Sequence, residues 1–381
     1  MTDIIKTLDS LENFYIKVWE DVCNIDSPTH FKKGVDKVSA YFINLANERG
    51  FEVEILKQSV MGDAVCITMN KDAKGTPVSF SGHIDTVHPV GSFGTPAVRF
   101  DDENIYGPGV TDCKGGVVGA FYALDVLRLC GFSDRPVHLI LQSDEEFGSI
   151  LSNGETIDFM CEKAKGSKAF INLEGQRVGT ACVERKGIQN FIFCITGQEA
   201  HSSRCAIAGA NAIAEAACKI SEIEKIKDDD GLTCSCNQIK GGTAQNTVAG
   251  YCEFVVNVRF ATKQQYDYID GFMQKLADTT FVKGCTCELK KEHYRPEMEL
   301  VKRNTDLLDS INEVLKKCDI PILTMGKSTG GSDAAYVTIA KIPCIDSIGV
   351  VGGNIHSPQE YAVTSSLKEC AKRLCAIAKY I

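Results

Sequence analysis

The sequence lacks the long apolar runs of chains that enter or cross a membrane. Its first 50 residues are charged and helix-like, so we expect neither a signal peptide nor a transmembrane helix. Its 18 cysteines include no C-x-x-C pair, and Cys234 with Cys236 and Cys285 with Cys287 are too close in sequence for an ordinary disulfide bridge. The composition therefore predicts free thiols in a reducing cytoplasm and no membrane partner.

An excess of positive charge is also missing. The formal net charge is -9 at pH 7, which argues against a nucleic-acid partner. Two glycine-rich stretches fail as nucleotide sites: Gly107 and Gly109 lack the third glycine of a dinucleotide fingerprint, and Pro321 replaces the first glycine that a phosphate loop ending at 326–328 would need. With 381 residues, 44% of them hydrophobic and 24% charged, the chain can instead form two ordinary globular domains.

A histidine and an aspartate end the first informative strand. The run before Gly82 alternates in a strand pattern and leads into His83-Ile84-Asp85. Side chains two apart on an extended backbone point the same way. His83 could thus bind a metal through one ring nitrogen while Asp85 accepts from the other and fixes the tautomer. Taken alone, a structural histidine beside a carboxylate explains the pattern at least as well.

Asp112 lies in a glycine-rich bend, 106–116, that leads into a helix predicted over 117–130. It is either a metal ligand or a helix N-cap. A buried strand predicted over 136–143 is followed directly by Asp144-Glu145-Glu146. Residues just beyond the carboxyl ends of strands are where open sheets build their sites.

The two adjacent glutamates can divide the chemistry. One would bind metal while its neighbour takes a proton from water, whose pKa a metal ion lowers to about 7. A solvated acidic turn is the alternative. Later strands end near Glu174 and before His356, which gives five candidate N and O ligands from five strand ends. That mixture suits zinc, with cobalt or manganese as alternatives.

Four stretches, taken in order, resemble the metallopeptidase superfamily of acetylornithine deacetylase, succinyl-diaminopimelate desuccinylase and bacterial glutamate carboxypeptidase. Residues 294–297 and 329–336 are most similar to the glutamate carboxypeptidase-like branch. The resemblance covers nearly the whole chain and implies an α/β fold: a mixed-sheet zinc-peptidase catalytic domain with an inserted α+β lid and dimerisation domain. The four stretches are GHIDTV (82–87), YGPGVTDCKGG (106–116), DEEFGS (144–149) and HSPQEY (356–361).

The resemblance also implies a role for each acidic and histidine position. It makes Asp112 the carboxylate that bridges two divalent metal ions. His83 and Glu174 complete the ligands of one ion, and Glu146 and His356 complete those of the other. Glu145 is the general base, and Asp85 is the acid that orients His83.

Two positions depart from the pattern of the superfamily. Relatives often carry Met or a second acid where this chain has Cys113, and Pro where it has Gly175. Neither change removes a ligand. We expect Cys113 to be a packing residue, although a thiol near a metal site can compete for metal or become oxidised.

The segment between Glu174 and His356 is too long for a loop. It predicts, in order, a strand, a helix, two strands, a helix and a strand, as in a small α+β domain. We therefore predict a catalytic domain over 1–186 and 299–381 and an inserted lid and dimerisation domain over 187–298. The charged stretch 225–230 is predicted to be a solvated turn. The six elements are predicted at 189–196, 211–223, 232–239, 251–260, 264–277 and 285–292.

Four residues of this region are candidates for substrate contact. His201 resembles the family histidine that reaches the partner subunit's site and helps to hold an oxyanion; otherwise it is an ordinary loop histidine. Asn246 and Arg259 match family positions that bind a substrate carboxylate, and an arginine fork suits that role. A structural salt bridge is the alternative for Arg259. Arg295 is a weaker candidate.

The sequence thus predicts a dimeric two-metal hydrolase that cleaves an amide or peptide bond next to a free carboxylate, as a carboxypeptidase or dipeptidase does. An N-acyl amino acid deacylase of the acetylornithine deacetylase type is the alternative within the same chemistry. A non-catalytic metal-binding protein of the same fold is the alternative from another class, and the presence of Glu145 argues against it.

Overall fold

The computed structural model describes residues 1–228 and 231–381, so part of the predicted turn at 225–230 lies outside the described residues. The described residues form two compact units. The first unit comprises 1–183, 300–327 and 333–381, and the second comprises 184–299 and 328–332. The main division lies within three residues of the predicted boundaries.

One segment differs from the predicted domains, because residues 328–332 belong to the second unit. Hydrogen bonds within that unit explain the difference. Arg185 Nη1 donates to the carbonyl oxygens of Gly330 and Gly331 at 3.5 and 3.4 Å. Arg259 Nη1 donates to the Thr329 carbonyl oxygen at 3.2 Å. A glycine-rich loop carries no sequence pattern that would reveal such partners.

The helices have the length and burial of amphipathic or core elements, and no helix within 1–228 or 231–381 is both long and apolar enough to cross a membrane. In chain order they are α1 (Thr2–Cys23), α2 (Lys32–Glu48), α3 (Lys114–Leu129), α4 (Glu155–Ala164), α5 (Ala212–Ile223), α6 (Lys263–Asp278), α7 (Lys302–Lys317), α8 (Ala334–Ile339) and α9 (Ser366–Tyr380).

The strands form sheets that each lie mainly in one unit. They are β1 (Glu52–Leu56), β2 (Ala64–Met69), β3 (Val78–His83), β4 (Arg99–Phe100), β5 (Asn104–Tyr106), β6 (Val137–Gln142), β7 (Ala169–Asn172), β8 (Thr180–Arg185), β9 (Gly187–Thr196), β10 (Thr233–Gly241), β11 (Tyr251–Phe260), β12 (Thr286–Arg295), β13 (Thr324–Ser328), β14 (Cys344–Ile345), β15 (Gly352–Gly353) and β16 (Tyr361–Val363).

A six-stranded mixed sheet, in the order β1-β2-β6-β3-β7-β14, organises the first unit. β3, β6, β7 and β14 run parallel, whereas β2 is antiparallel to both β1 and β6. The parallel strands are almost wholly buried, as expected where helices cover a sheet. The predicted mixed α/β fold is confirmed.

Helix α3 packs on this sheet with α1 and α9 beside it. The contact is close because two glycines meet the opposing element. A Cβ on Gly116 would lie 2.2 Å from the Leu173 carbonyl oxygen, and one on Gly82 would lie 2.8 Å from a Val117 methyl carbon. These positions therefore require glycine, and they hold the start of α3 against the strand ends.

A smaller antiparallel sheet, in the order β15-β16-β5-β4, lies in the same unit. β5 leads into the loop that carries Asp112, and β15 and β16 flank the loop that carries His356. Tyr106 of β5 pairs with Tyr361 of β16. Pairing of these strands therefore places the start of the Asp112 loop beside the end of the His356 loop.

The second unit is an antiparallel sheet, in the order β10-β11-β9-β12, packed against α5 and α6. Burial alternates along β11, and the rings of Phe193 and Phe254 stack 4.7 Å apart in the core. The predicted order of strands and helices is confirmed, with each boundary within three residues. A role in closure or dimerisation stays a prediction.

Candidate metal centre and substrate residues

The candidate metal centre lies where the parallel strands of the first unit end. β3 ends at His83, β6 at Gln142 and β7 at Asn172, so the residues that follow share one edge of the sheet. Asp112 reaches this edge from the loop before α3. That helix begins at Lys114 with Cys113 at its N-cap position, so Asp112 is not the helix cap.

Asp112 stands between two histidines. Its Oδ1 lies 3.0 Å from His83 Nε2, and its Oδ2 lies 3.0 Å from His356 Nε2. Asp112 and His83 are buried, whereas the His356 side chain is 53% exposed. One carboxylate thus presents each of its oxygens to a different imidazole.

Each histidine also faces a glutamate. His83 Nε2 lies 3.7 Å from Glu174 Oε1, and His356 Nε2 lies 3.3 Å from Glu146 Oε2. Two ligand atoms on one tetrahedral zinc ion, each bound at about 2.1 Å, are about 3.4 Å apart. The observed separations of 3.0 to 3.7 Å bracket that value, so this donor set fits two divalent ions that share Asp112.

Three ionisable side chains at this edge of the sheet have pKa values above their ordinary values. Burial and the negative charge of Asp112 raise the pKa of Glu146 to about 8. Hydrogen bonds with Asp112 and Glu146 raise the pKa of His356 to about 10. Burial lowers the pKa of His83, but neighbouring acidic groups, including Asp112, raise it well above the ordinary value overall. Glu146, His356 and His83 therefore hold their protons tightly, and divalent cations would take the place of these protons.

Hydrogen bonds also oppose the effect of burial on Asp112. Burial alone would raise its pKa, yet contacts with His356 and His83 lower it below the ordinary range. Asp112 is accordingly held in its ionised form, which is the form that binds a metal ion.

Asp85 makes different contacts from those expected. His83 Nδ1 lies 3.0 Å from the Asp85 carbonyl oxygen but 3.5 Å from its carboxylate Oδ1. The buried carboxylate instead accepts from the backbone N–H groups of Glu145 and Glu146, at 3.3 and 3.2 Å, and from Thr29 Oγ1 at 2.8 Å. Asp85 therefore holds the acidic turn as well as the histidine. Sequence spacing could not reveal this link between loops.

Glu145 begins a 3-10 helical turn, Glu145–Phe147, just after β6. The residue is only 6% exposed. Its negative charge contributes to the raised pKa values of both His83 and Glu146, so it belongs to the same charged cluster.

Cys113 lies closer to the cluster than a packing residue needs to. Its buried Sγ donates to the Leu173 carbonyl oxygen at 3.2 Å. Candidate ligand atoms of Cys113, His83 and Glu174 also lie within 4.8 Å of one another. The expected packing contact is present, and the thiol is in addition a neighbour of two proposed ligands.

In the second unit, two candidate substrate residues lie on joined loops. The exposed His201 accepts the backbone N–H of Ser203 at Nδ1, 3.3 Å away, and Nδ1 lies 2.8 Å from Ser203 Oγ. The backbone carbonyl oxygen of Asn246 accepts the backbone N–H of Ser202 at 2.8 Å. In the neutral imidazole, an accepting Nδ1 leaves the proton on Nε2. His201 can therefore donate outward from Nε2.

The other two candidates form a pair of arginines. Arg259 Nε donates to Asn257 Oδ1 at 3.0 Å, in addition to the bond from Nη1 to Thr329. Burial, together with the positive charge of Arg295, lowers the pKa of Arg259. Among the described residues, Arg259 forms hydrogen bonds with the side-chain amide of Asn257 and the carbonyl oxygen of Thr329. The salt bridge that was the alternative for Arg259 is not among its described contacts.

The sequence model of peptidase family M20/M25/M40 matches residues 79–380. The chain belongs to this family. The predicted superfamily, and the prediction of a metallopeptidase or metal-dependent amide hydrolase, are thereby confirmed. The match spans all five proposed ligands together with the four substrate candidates.

Individual relatives agree with that family. The chain is 25% identical to carboxypeptidase G2 of Pseudomonas sp. (strain RS-16) over 96% of this chain and 88% of the relative. It is 24% identical to succinyl-diaminopimelate desuccinylase of Thioalkalivibrio sulfidiphilus over 87% of this chain and 89% of the relative. The crystal structure of aminopeptidase PepT from Bacillus cereus matches with a TM-score of 0.81 and 19% identity, covering 97% and 98% of the two chains, which shows the shared fold.

Two residues of this M20 peptidase escaped the sequence interpretation. Thr29 holds Asp85, and Glu360 binds the backbone at and just before Asp112. Thr29 carries no local signal. Glu360 lies in the HSPQEY stretch that supported the resemblance, but the stretch alone gives it no role.

Proposed function

We propose that this M20 peptidase is a two-metal hydrolase that cleaves an amide or peptide bond next to a free carboxylate. The observation that carries the proposal is the position of Asp112, whose two oxygens each lie 3.0 Å from a different histidine. A structural carboxylate needs no such symmetry, whereas a ligand shared by two cations does.

The proposed ligands divide into two sets that share Asp112. His83 and Glu174 would complete one set, and Glu146 and His356 the other. The mixture of nitrogen and oxygen donors suits Zn²⁺, with Co²⁺ or Mn²⁺ as alternatives. When bound, two such ions would polarise the scissile carbonyl group and lower the pKa of the attacking water.

Glu145 is the proposed general base. It shares its turn with Glu146, and the Asp85 carboxylate fixes the backbone of both. Glu145 would take a proton from the attacking water onto its carboxylate and deliver it to the nitrogen of the leaving amine. Asp85 would act by holding that turn and, through its carbonyl oxygen, His83.

The second unit is proposed to serve as lid and dimerisation domain. His201 would donate from Nε2 to the developing oxyanion in the partner subunit's site, which makes the homodimer the active form. Arg259 would bind the substrate carboxylate, and Asn246 and Arg295 are further candidates for that role. The contacts to Asn257 and Thr329 use two of the five N–H donors of Arg259 and orient its guanidinium fork.

Two substrate classes remain in competition. The similarity to carboxypeptidase G2 favours a small peptide with a free C-terminal carboxylate. The similarity to succinyl-diaminopimelate desuccinylase favours the alternative, an N-acyl amino acid. None of the 18 cysteines, all of which lie within the described residues, forms a disulfide bridge, which supports a reducing compartment such as the cytoplasm for either activity.

A substrate panel tests the proposal. Metal-depleted protein, reloaded with Zn²⁺, Co²⁺ or Mn²⁺, is assayed with dipeptides and N-acyl amino acids, each as the free acid and as the C-terminal amide. We expect metal-dependent cleavage of the acids in one series and little cleavage of the amides. Equal cleavage of acids and amides, or no cleavage with any of the three metals, would contradict the proposal.

Arg259→Gln refines the same assay. Loss of charged hydrogen bonds to a carboxylate costs about 1.5–3 kcal/mol each, so kcat/KM for the acid should fall about 10- to 100-fold. The rate for the amide should change little. Arg128→Gln, which removes an arginine paired with Asp125 in the first unit, is the matched control and should leave both rates unchanged.

A further inference from the structure

Glu360 is a buried acid outside the proposed ligand set, and it collects four hydrogen bonds. Its Oε1 accepts the backbone N–H groups of Thr111 and Asp112 at 2.9 and 3.1 Å. Its Oε2 accepts the backbone N–H of Gly109 at 3.1 Å and lies 2.9 Å from His88 Nε2. Because a carboxylate accepts, Nε2 carries the proton in this contact. We call Glu360, His88 and these three backbone N–H groups the Glu360 clamp.

The Glu360 clamp joins the two loops that carry proposed ligands. Glu360 closes the loop after His356, and its own N–H donates to the Ser357 carbonyl oxygen at 3.1 Å. Its carbonyl oxygen accepts the N–H of Gly107 at 3.3 Å. The backbone of the Asp112 loop therefore forms hydrogen bonds with both the side chain and the backbone of Glu360.

The cost of burying Glu360 indicates what the clamp does. The residue is 1% exposed, and a buried carboxylate is unfavourable unless donors surround it. Four donors do so, and three of them are backbone groups at or just before Asp112. Charge-assisted bonds of this kind are short and directional, so they fix the course of the backbone at Asp112.

We propose that Glu360, supported by His88, is a positioning residue that holds Asp112 where it would serve as a ligand shared by two metal ions. This inference rests on the proposed function. Some residues do not contact the metal but hydrogen-bond to its ligands and orient them. Removal of such a residue typically lowers metal affinity about 10- to 100-fold. The clamp acts on Asp112 and on the loop of His356, so its loss should weaken the ion held by Glu146 and His356 before the other.

Glu360→Gln is the decisive variant because it preserves shape. An amide offers one accepting oxygen and one donating nitrogen, so its nitrogen would face backbone N–H groups or His88 and leave donors unsatisfied. His88→Ala removes one donor of four and should have a smaller effect. Glu103→Gln, the same change at an exposed position between β4 and β5, is the matched control.

The first measurement is zinc binding to the full chain, by competition with a chromophoric chelator and by metal analysis. The unaltered protein and Glu103→Gln should bind two ions. Glu360→Gln should bind at least one ion about 10- to 100-fold more weakly, and the absorption spectrum of its cobalt form should change. Two ions at unaltered affinity, with an unaltered cobalt spectrum, would overturn the proposal.

The second measurement separates positioning from a purely structural role. Unfolding midpoints are compared for metal-free and metal-loaded protein. A structural role predicts that Glu360→Gln lowers both midpoints equally, and that result would overturn the proposal. Positioning predicts that the gain in midpoint on metal loading shrinks. His88→Ala must show the same pattern to a smaller degree, and it provides the test if Glu360→Gln does not fold.

The outcome is distinguishable from failure of the proposed function. If the unaltered protein binds no divalent ion, the two-metal hydrolase proposal fails before the clamp is tested. If the unaltered protein binds two ions and hydrolyses its substrate, and Glu360→Gln does so equally well, only the role of the clamp fails.

Discussion

The proposed metal ligands of the first unit are gathered into one cluster, whereas the substrate candidates of the second unit fall into two pairs, one on joined loops and one on strands β11 and β12. In the first unit, one buried carboxylate lies 3.0 Å from each of two histidines. In the second unit, His201 and Asn246 are exposed, and Arg259 bonds to neighbouring backbone and amide groups. The proposed ligands of the first unit thus contact one another, whereas no contact between the two pairs of substrate candidates is among the hydrogen bonds described for the second unit.

Sheet topology explains the difference. Parallel strands bring their carboxyl ends to one edge, so residues far apart in sequence meet there. His83 is the last residue of such a strand, and Glu145 and Glu174 each lie just beyond the end of one. In the antiparallel sheet of the second unit, strand ends alternate between two edges, and connecting loops are separated. Chemistry is expected at the first edge, and recognition in the second unit.

Glu145→Gln should give the largest effect on catalytic rate. A small effect would contradict the assignment of the chemistry to the first unit. General-base removal typically costs about 10²- to 10⁴-fold in rate, so we expect at least about a hundredfold loss in kcat with both metal ions retained. Steady-state kinetics and metal analysis of the same preparation measure both quantities. Unchanged turnover would contradict the proposed role of Glu145 as general base and would favour the non-catalytic alternative.

His83→Ala sharpens the first half of the comparison by failing differently. Removal of an imidazole ligand should lower metal content, whereas Glu145→Gln should leave it intact. Activity falls in both variants, so metal analysis is the informative measurement. Full occupancy by two ions in His83→Ala would contradict its assignment as a ligand.

His201→Ala tests whether the second unit completes a site elsewhere. Loss of an oxyanion donor costs about 10²- to 10³-fold in kcat, with metal content unchanged. Mixing His201→Ala with Glu145→Gln under conditions of subunit exchange provides the sharper experiment. If His201 acts in the partner subunit, statistical mixing should restore about a quarter of full activity. Strong loss in His201→Ala without any recovery in the mixture would place its action within its own subunit.

Most of the fold was predictable from sequence because burial follows strand and helix periodicity. The alternation along β11 gave its bounds without error, and the carboxyl ends of β3 and β6 pointed to His83 and Glu145. The partners of Asp85 could not be predicted, because Thr29 and the Glu145 backbone come from distant segments. The membership of 328–332 in the second unit depended likewise on Arg185 and Arg259, whose long side chains leave no periodic pattern.

Cys113→Ala should have the smallest effect, and it tests how far the metal centre extends. Its Sγ lies near His83 and Glu174, yet the thiol donates to the Leu173 carbonyl oxygen, which requires that it keep its proton. We therefore expect Cys113→Ala to bind two ions as before and to lose only about 1 kcal/mol of unfolding free energy, as for other small losses of buried volume. Zinc titration and denaturant unfolding measure the two terms. A thiolate-to-cobalt absorption band in the unaltered protein that disappears in Cys113→Ala would instead make Cys113 a ligand. The boundary between the assembled centre and the core beneath it would then move by one residue.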